Sequence, residues 1–373
     1  MKEPKALFIR YKKTKGVLDG GEIASQKHYE ALCDILDEEN VTTLYIHDEN
    51  KVKSPLDYIM GVVLFFFNYY FGLTPSRVND IVEKAQGYDI VFIDRSVFGI
   101  IAKRLKENGY KGKVISFYHN VETMYFNAKL GKKPWKNIIL RCVDKNDKYA
   151  AEYSDATITL NKRDRVFLKK MYGLKNNHII PITFEDRLDP FDSQSTEITS
   201  QEPTCLFLGS YFPANVEGIL WFINNVFTKV NIKLLIAGKG MDAIIPQINN
   251  ITPAKRQNID VRSDVPDLTP LFLETDAVIL PIFSGSGMKV KTCESLMFGR
   301  NIYGTKEAFE GYDIDFQKIG GICDTANDFI RALQDLANNP RPKFNKASRE
   351  AYLSKYTDEA VRPVWKEILK GEE

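Results

Sequence analysis

The sequence predicts an α/β protein made of two doubly wound, parallel-sheet units in series. Short apolar runs of strand length alternate with longer helical stretches along most of the chain, the pattern left by parallel strands joined through helical crossovers. At 373 residues the chain exceeds the size at which one hydrophobic core stops growing, about 250–300 residues. The alternation also breaks over 184–203, FEDRLDPFDSQSTEITSQEP, and then restarts; a polar, acidic stretch with two prolines and no periodicity reads as a linker. The expected boundaries are 1–185 for the first domain, 186–203 for the linker, 204–345 for the second domain and 346–373 for a helical tail.

The opening, MKEPKALFIRYKK, is a short charged lead into a strand at 6–10. It lacks the apolar core and small-residue cleavage site of a secretory signal. Further strands are expected at 41–46, 90–94, 114–118, 156–160 and 179–181. After the first strand, Gly20 and Gly21 stand in a turn before a helix starting near residue 22. Amides at such a helix start face the carboxyl end of the sheet, where open α/β sheets bind ligands. The pair forms neither a GxGxxG fingerprint nor a P-loop, and an ordinary loop is its plain alternative.

Residues 58–73, YIMGVVLFFFNYYFGL, are almost wholly apolar. The run falls short of the about 20 residues a membrane span needs, and Asn68 interrupts it. It reads either as a core or domain-surface helix, or as a patch that lies on a bilayer or grips a lipid-linked acceptor. At the end of the fourth strand comes SFYHNVE. His119 stands immediately after a buried strand, beside Asn120 and Glu122, where it can hydrogen-bond a sugar or polarise a reacting group; it is the one histidine of four so placed in the sequence.

Beyond the linker, strands are expected at 204–209, 233–238, 259–261, 277–281 and 301–304. Gly209 and Ser210 end the first of these in a small-residue turn followed by Asn215 and an amphipathic helix; Lys239 follows a second such turn, and the loop near 263–268 is a candidate for holding a nucleobase. The most specific element is PIFSGSGMKVKTCES. Gly285 and Gly287 let the backbone turn tightly and approach a ligand, and Ser286 and Met288 are counted with them as donor-binding positions. Lys289, Lys291 and the first amides of the next helix offer positive charge for a diphosphate, and Glu294 can accept hydrogen bonds from ribose hydroxyls. Two lysines two residues apart cannot share a helical face, so one is expected to reach the diphosphate, and Lys291 is the better placed. The tail at 346–370 reads as helical, with Ala351, Tyr352, Tyr356, Val361, Val364, Trp365 and Ile368 as core positions and Pro363 near a helix start or kink.

Composition narrows the partners. With 51 basic and 49 acidic residues the net charge is +2, which argues against nucleic acid as a partner. The five cysteines, Cys33, Cys142, Cys205, Cys293 and Cys323, form neither a CxxC pair nor a Cys/His cluster of metal spacing, and a reduced, cytoplasmic setting fits them best.

Taken in order, the early glycine pair, the strand-end His119-Asn120 with Glu122, FLGS with Asn215, the IAGKG turn and GSGMKVKTCES resemble the glycosyltransferases built from two Rossmann-like domains facing a cleft (GT-B), most of all the retaining family 4. The resemblance implies that the second domain holds the nucleotide sugar and the first the acceptor, with the terminal helix crossing back to the first. It assigns Lys291 to the diphosphate, Glu294 to the ribose, Gly20 and Gly21 to a phosphate or the acceptor, and His119 to the transferred sugar. His119 and Glu294 are the expected catalytic pair. Many relatives carry two glutamates eight positions apart; here the earlier position is Ser286.

The expectation is a nucleotide-sugar-dependent glycosyltransferase acting with retention on a glycan or lipid-linked acceptor, in cell-surface polysaccharide or glycoconjugate synthesis. The resemblance implies that no metal is needed, and the lack of a DxD near a strand end agrees with that; no other cofactor is expected, since the nucleotide sugar is a substrate. The aromatic run at 58–73 and the basic Lys132, Lys133 and Lys136 add an expectation of peripheral contact with the inner face of the cell membrane. Two rivals remain: a sugar-nucleotide epimerase of the same plan, and a degenerate transferase kept as a binding subunit.

Overall fold

Ala6 to Arg10 form a strand buried along its whole length, as expected of a parallel strand covered by helices on both faces. The structure is a computed structural model describing residues 3–12, 20–47, 55–131, 136–174, 176–192, 196–248, 253–285 and 287–371, with only the backbone of 20, 55–60, 128, 129 and 254. The chain divides into two units, Met1–Pro181 with Val361–Glu373, and Ile182–Ala360.

In the first unit the elements run β1 (Ala6–Arg10), α1 (Gly20–Leu36), β2 (Val41–Tyr45), α2 (Pro55–Phe66), α3 (Pro75–Ala85), β3 (Ile90–Ile93), α4 (Gly99–Glu107), β4 (Lys113–Tyr118), α5 (Glu122–Leu130), α6 (Lys136–Tyr153), β5 (Ala156–Thr159), α7 (Lys162–Tyr172) and β6 (Asn177–Ile179). The sheet is parallel, ordered β2-β1-β3-β4-β5-β6. The chain reverses its direction of growth between β1 and β3, and the carboxyl ends of those strands flank the crevice where such sheets bind ligands. Sequence signals set the helix ends: Thr74 caps α3 by accepting from Arg77 N at 3.1 Å, ahead of Pro75, and Gly173 closes α7 in the left-handed region.

The second unit runs β7 (Thr204–Leu208), α8 (Pro213–Asn225), β8 (Lys233–Gly238), α9 (Pro253–Arg256), β9 (Ile259–Ser263), α10 (Thr269–Glu274), β10 (Ala277–Leu280), α11 (Val290–Met297), β11 (Asn301–Gly304), β12 (Gly320–Ile322), α12 (Ala326–Asn338) and α13 (Lys346–Lys355). Its parallel sheet is ordered β12-β11-β10-β7-β8-β9, so the reversal lies between β7 and β10. A last helix, α14 (Asp358–Lys370), follows.

The linker, the tail and the sixth strand differ from the sequence reading, and β12 had no counterpart in it. The stretch expected as a linker packs within the second unit: Leu188 is buried, Asp186 pairs with Arg349, and Thr199 N donates to Arg341 O at 2.8 Å. The tail is two helices, and residues from Val361 onward group with the first unit, Trp365 lying against Phe92 and His28. Ala351 and Val364 are partly buried, and the other named tail positions are buried. The sixth strand covers Asn177–Ile179, two residues before its expected position, because a short edge strand needs little apolar character and Pro181 cannot donate to a ladder.

Candidate functional site

In the second unit the loops after β7 and β10 meet at the reversal point. Gly209 and Gly238 are in backbone contact: a Cβ on Gly238 would stand 2.1 Å from Gly209 O. Tyr211 N donates to Lys239 O at 2.8 Å, while the Lys239 side chain is exposed. Ser210 is exposed, and its carbonyl accepts from Asn215 Nδ2 at 2.9 Å. Gly218 in α8 lies so close to the end of β10 that a Cβ would be 2.0 Å from Pro281 O.

After β10, Gly285 and Gly287 take φ of 152° and 67°, which only glycine adopts without strain. Ser286 lies outside the described residues. Met288 is buried, and α11 begins at Val290 with Lys289 as its cap residue. The two lysines then part. Lys289 Nζ is committed to Glu307 Oε1 at 2.7 Å and to Gly287 O at 2.9 Å, tying the turn to the loop after β11. Tyr312 OH fastens the same point by donating to Lys289 O at 2.7 Å.

Lys291 Nζ instead donates to Asn215 Oδ1 at 2.6 Å and sits 5.3 Å from the centre of the Phe207 ring. Burial pushes its ammonium down to about 8, the charge of Lys289 adds to that, and Glu294 opposes it. A cation with a neutral partner and an aromatic face is under-neutralised, and an anion reaching it gains strongly. Glu294 is only 15% exposed and accepts from Arg187 Nη2 at 2.8 Å. Burial raises its carboxyl pKa, with Arg187 pulling it back. Arg187 also lies 5.5 Å from the Phe298 ring centre. It comes from the stretch read as linker, and nothing in its local sequence marks it.

In the first unit Gly20 and Gly21 lie within the first turn of α1, where the sequence reading had them in the preceding turn; glycine removes no amide, so the helix starts on them. Asn120 is partly buried after β4, and Glu122 is buried in the first turn of α5. His119 is buried, its Nε2 2.7 Å from the backbone oxygen of Asp94 and 3.5 Å from Asp94 Oδ1. Asp94, fully buried just beyond β3, also accepts from Ser25 Oγ and from His28 Nδ1 at 2.7 Å. A second histidine therefore reaches the strand ends, from α1 and not from a strand, which the sequence reading missed. Burial alone would raise the Asp94 carboxyl, but His119 and His28 hold it well below the usual carboxylate range. Burial pushes His119 down, against the pull of Asp94.

His28, Asp94 and His119 are the residue types of a metal site, with ligand atoms within 4.8 Å of one another. Two ligands about 2.0 Å from a tetrahedral zinc stand about 3.3 Å apart. The 2.7 Å between His28 Nδ1 and Asp94 Oδ1 is instead a hydrogen-bond length. The cluster fits a hydrogen-bonded network better than a metal centre.

Residues 202–339 match the model of a family described as glycosyl transferases group 1. No curated protein matches the sequence. The fold is similar over 99% of this chain to sucrose-phosphate synthase from Thermosynechococcus elongatus, at a TM-score of 0.67, 15% identity and 98% of that chain. It is similar to the lipopolysaccharide outer core galactosyltransferase WaaB, at 0.65 and 11%, over 98% of this chain and 99% of that one. It is also similar to Anabaena HepE in complex with UDP-glucose, at 0.60 and 11%, over 99% and 100%. At these identities the likeness is one of fold, and the fold is GT-B.

Proposed function

We infer that this chain, whose residues 202–339 match the group 1 glycosyltransferase model, is a glycosyltransferase that takes its sugar from a nucleoside diphosphate sugar bound at the carboxyl ends of β7 and β10. The observation that carries the reading is Lys291, an under-neutralised ammonium in the first turn of an eight-residue helix entered through two glycines. The diphosphate meets Lys291 and the first amides of α11, and the ribose hydroxyls donate to Glu294. As the glycosidic bond breaks, charge collects on the departing diphosphate, and a preorganised cation lowers that barrier electrostatically. This chemistry needs no metal. Lys289, locked by Glu307, shapes the turn.

The first unit takes the acceptor, a glycan or a lipid-linked one, with His119 facing a sugar hydroxyl. Retention of configuration and a role in cell-surface polysaccharide or glycoconjugate synthesis are proposed on the resemblance to the retaining family 4 alone. A thermal-shift panel of nucleotides and nucleotide sugars tests the donor reading, since a ligand that binds the folded form raises the melting temperature by mass action. No response to any nucleotide, or loss of the response on chelation of metal, overturns it. Incubating a nucleotide sugar without acceptor and finding an isomer would favour an epimerase instead.

Membrane attachment is a second proposal, supported by one surface. Phe65, Tyr69 and Leu73 are buried, whereas Phe66, Phe67 and Phe71 are 53%, 64% and 42% exposed, with Val62 and Val63 also exposed. Among the described residues no helix is long and apolar enough to cross a membrane. The patch suits a peripheral contact at the inner face of the cell membrane, where a lipid-linked acceptor would be found. Lys132, Lys133 and Trp135 lie outside the described residues.

A further inference from the structure

We propose that Asp94, held by Ser25 and His28, is a positioning residue that fixes His119 in the tautomer protonated on Nε2, so that His119 meets its ligand through Nδ1 as a hydrogen-bond acceptor and selects a hydroxyl group. The ligand half of this rests on the reading that His119 faces a sugar hydroxyl; the tautomer half stands on the first unit alone.

A backbone carbonyl can only accept, so the 2.7 Å contact between His119 Nε2 and Asp94 O requires the hydrogen on Nε2. A neutral imidazole carries one ring hydrogen, which leaves the lone pair on Nδ1. Among the described residues, the charged or titratable groups that act most on the ring are Asp94, Arg95 and His28. Asp94 acts through both groups: its backbone oxygen takes the hydrogen bond, and its Oδ1, 3.5 Å from the same nitrogen, adds a negative charge that favours N–H on that side, so releasing Asp94 from His28 loosens both.

Asp94 does not move freely. Ser25 Oγ donates to one carboxylate oxygen and His28 Nδ1 to the other, both from the inner face of α1. His28 is itself clamped, its ring centre 3.9 Å from that of Phe117 and 5.8 Å from that of Trp365. A buried carboxylate this well paired is a poor proton donor and a rigid orienting group. The same helix opens on Gly20 and Gly21, so α1 carries both that glycine pair and the residues that hold Asp94.

The test uses the full chain, labelled with 15N in its histidine rings and observed without ligand by long-range 1H–15N correlation. With four histidines in the chain, His119→Gln identifies the signal. His119 is expected to show hydrogen on Nε2 alone at neutral pH. His28→Asn keeps an N–H donor where Nδ1 stood and should preserve that pattern; His28→Leu should leave His119 exchanging between tautomers. In parallel, turnover by His28→Leu of the nucleotide sugar that gives wild type the largest melting-temperature rise should fall about tenfold in kcat with KM little changed, the size expected for one charge-assisted hydrogen bond, and His28→Asn should recover it. A wild-type His119 carrying hydrogen on Nδ1, or on both nitrogens, overturns the proposal whatever the turnover. So does a His28→Leu protein whose His119 signals match wild type. If the tautomer pattern holds while no nucleotide sugar is turned over, the proposed function fails and the tautomer assignment stands.

Discussion

Lys291 Nζ lies 2.6 Å from Asn215 Oδ1, and the two side chains reach that contact from α11 and α8, the helices that follow the strands on either side of the sheet's reversal point. Its ammonium is driven down to about 8 by burial, so the folded chain disfavours the charged form relative to an ordinary lysine near 10.5. The sign follows: the cost to stability is full below about pH 8 and disappears as pH rises toward 10.5. Lys291→Met should therefore raise the melting temperature of the free protein at pH 7, with the gain fading above pH 10. The same change should lower turnover of a nucleotide sugar by about 10²-fold or more. In the wild type, affinity for the nucleoside diphosphate should weaken as pH passes upward through about 8. Scanning calorimetry and nucleotide titration across that range check both; a Met variant that is less stable and equally active would remove Lys291 from the site.

Glu294 and Arg187 form the second relationship at that site, a 2.8 Å ion pair with the carboxylate mostly buried. If Glu294 accepts from ribose hydroxyls, Glu294→Gln should weaken binding of a ribonucleoside diphosphate about tenfold while barely affecting its 2′,3′-dideoxy analogue, since an unmet hydroxyl contact costs most where it had been made. Arg187→Met removes the partner and leaves a buried carboxylate, whose pKa then rises further. Nucleotide binding by that variant should recover with increasing pH as Glu294 ionises. Calorimetric titration of the two nucleotides against both variants decides it; equal losses for ribose and dideoxyribose would place Glu294 elsewhere in the chemistry.

Both sheets were legible in the sequence because buried parallel strands such as ALFIR and AVIL are continuous apolar runs bounded by polar turns. β12 was not: Gly320-Gly321-Ile322 has too little side chain to form a pattern and is held by pairing with β11. The turn with Lys289 and Lys291 could be read from its glycines, but the separation of the two lysines could not, because Glu307 is eighteen residues from Lys289 and Asn215 seventy-six from Lys291. Arg187 and Asp94 were missed for the same reason. Their roles depend on partners brought together by topology, Glu294 across more than a hundred residues and His28 across sixty-six. A polar linker and an ordinary strand end look the same in sequence whether or not such partners arrive.

The aromatic surface of α2 and the turn after it gives a prediction separable from stability. Phe66, Phe67 and Phe71 are exposed, so replacing them by serine should shift stability by about 0.5 kcal/mol or less at Phe66 and Phe67 and by about 1 kcal/mol at Phe71, whose ring meets that of Phe65 edge-on at 4.9 Å. If the surface meets a bilayer, wild type should float with vesicles containing anionic lipid and the triple variant should stay in solution. Phe65→Ser, at a buried position, should instead destabilise by about 3 kcal/mol or more. Identical partition of the folded wild type and triple variant would end the membrane reading.

Gly218 tests whether the site depends on how closely α8 approaches β10. A methyl there would stand 2.0 Å from Pro281 O and 3.1 Å from Pro281 C, and neither atom belongs to a flexible side chain. The helix must retreat from the strand end, and it carries Asn215 while the strand leads into the glycine turn. Gly218→Ala is expected to destabilise by about 1–3 kcal/mol, the usual cost of overpacking, and to reduce the nucleotide-induced rise in melting temperature because Asn215 and Lys291 are drawn apart. Gly61→Ala in α2 is the control: its added methyl meets nothing within 4 Å, and alanine favours helix over glycine by up to about 1 kcal/mol. Denaturation midpoints and nucleotide-dependent melting shifts for the two proteins should move in opposite and in unequal ways respectively. If Gly218→Ala keeps both wild-type values, the close approach is not what positions Lys291.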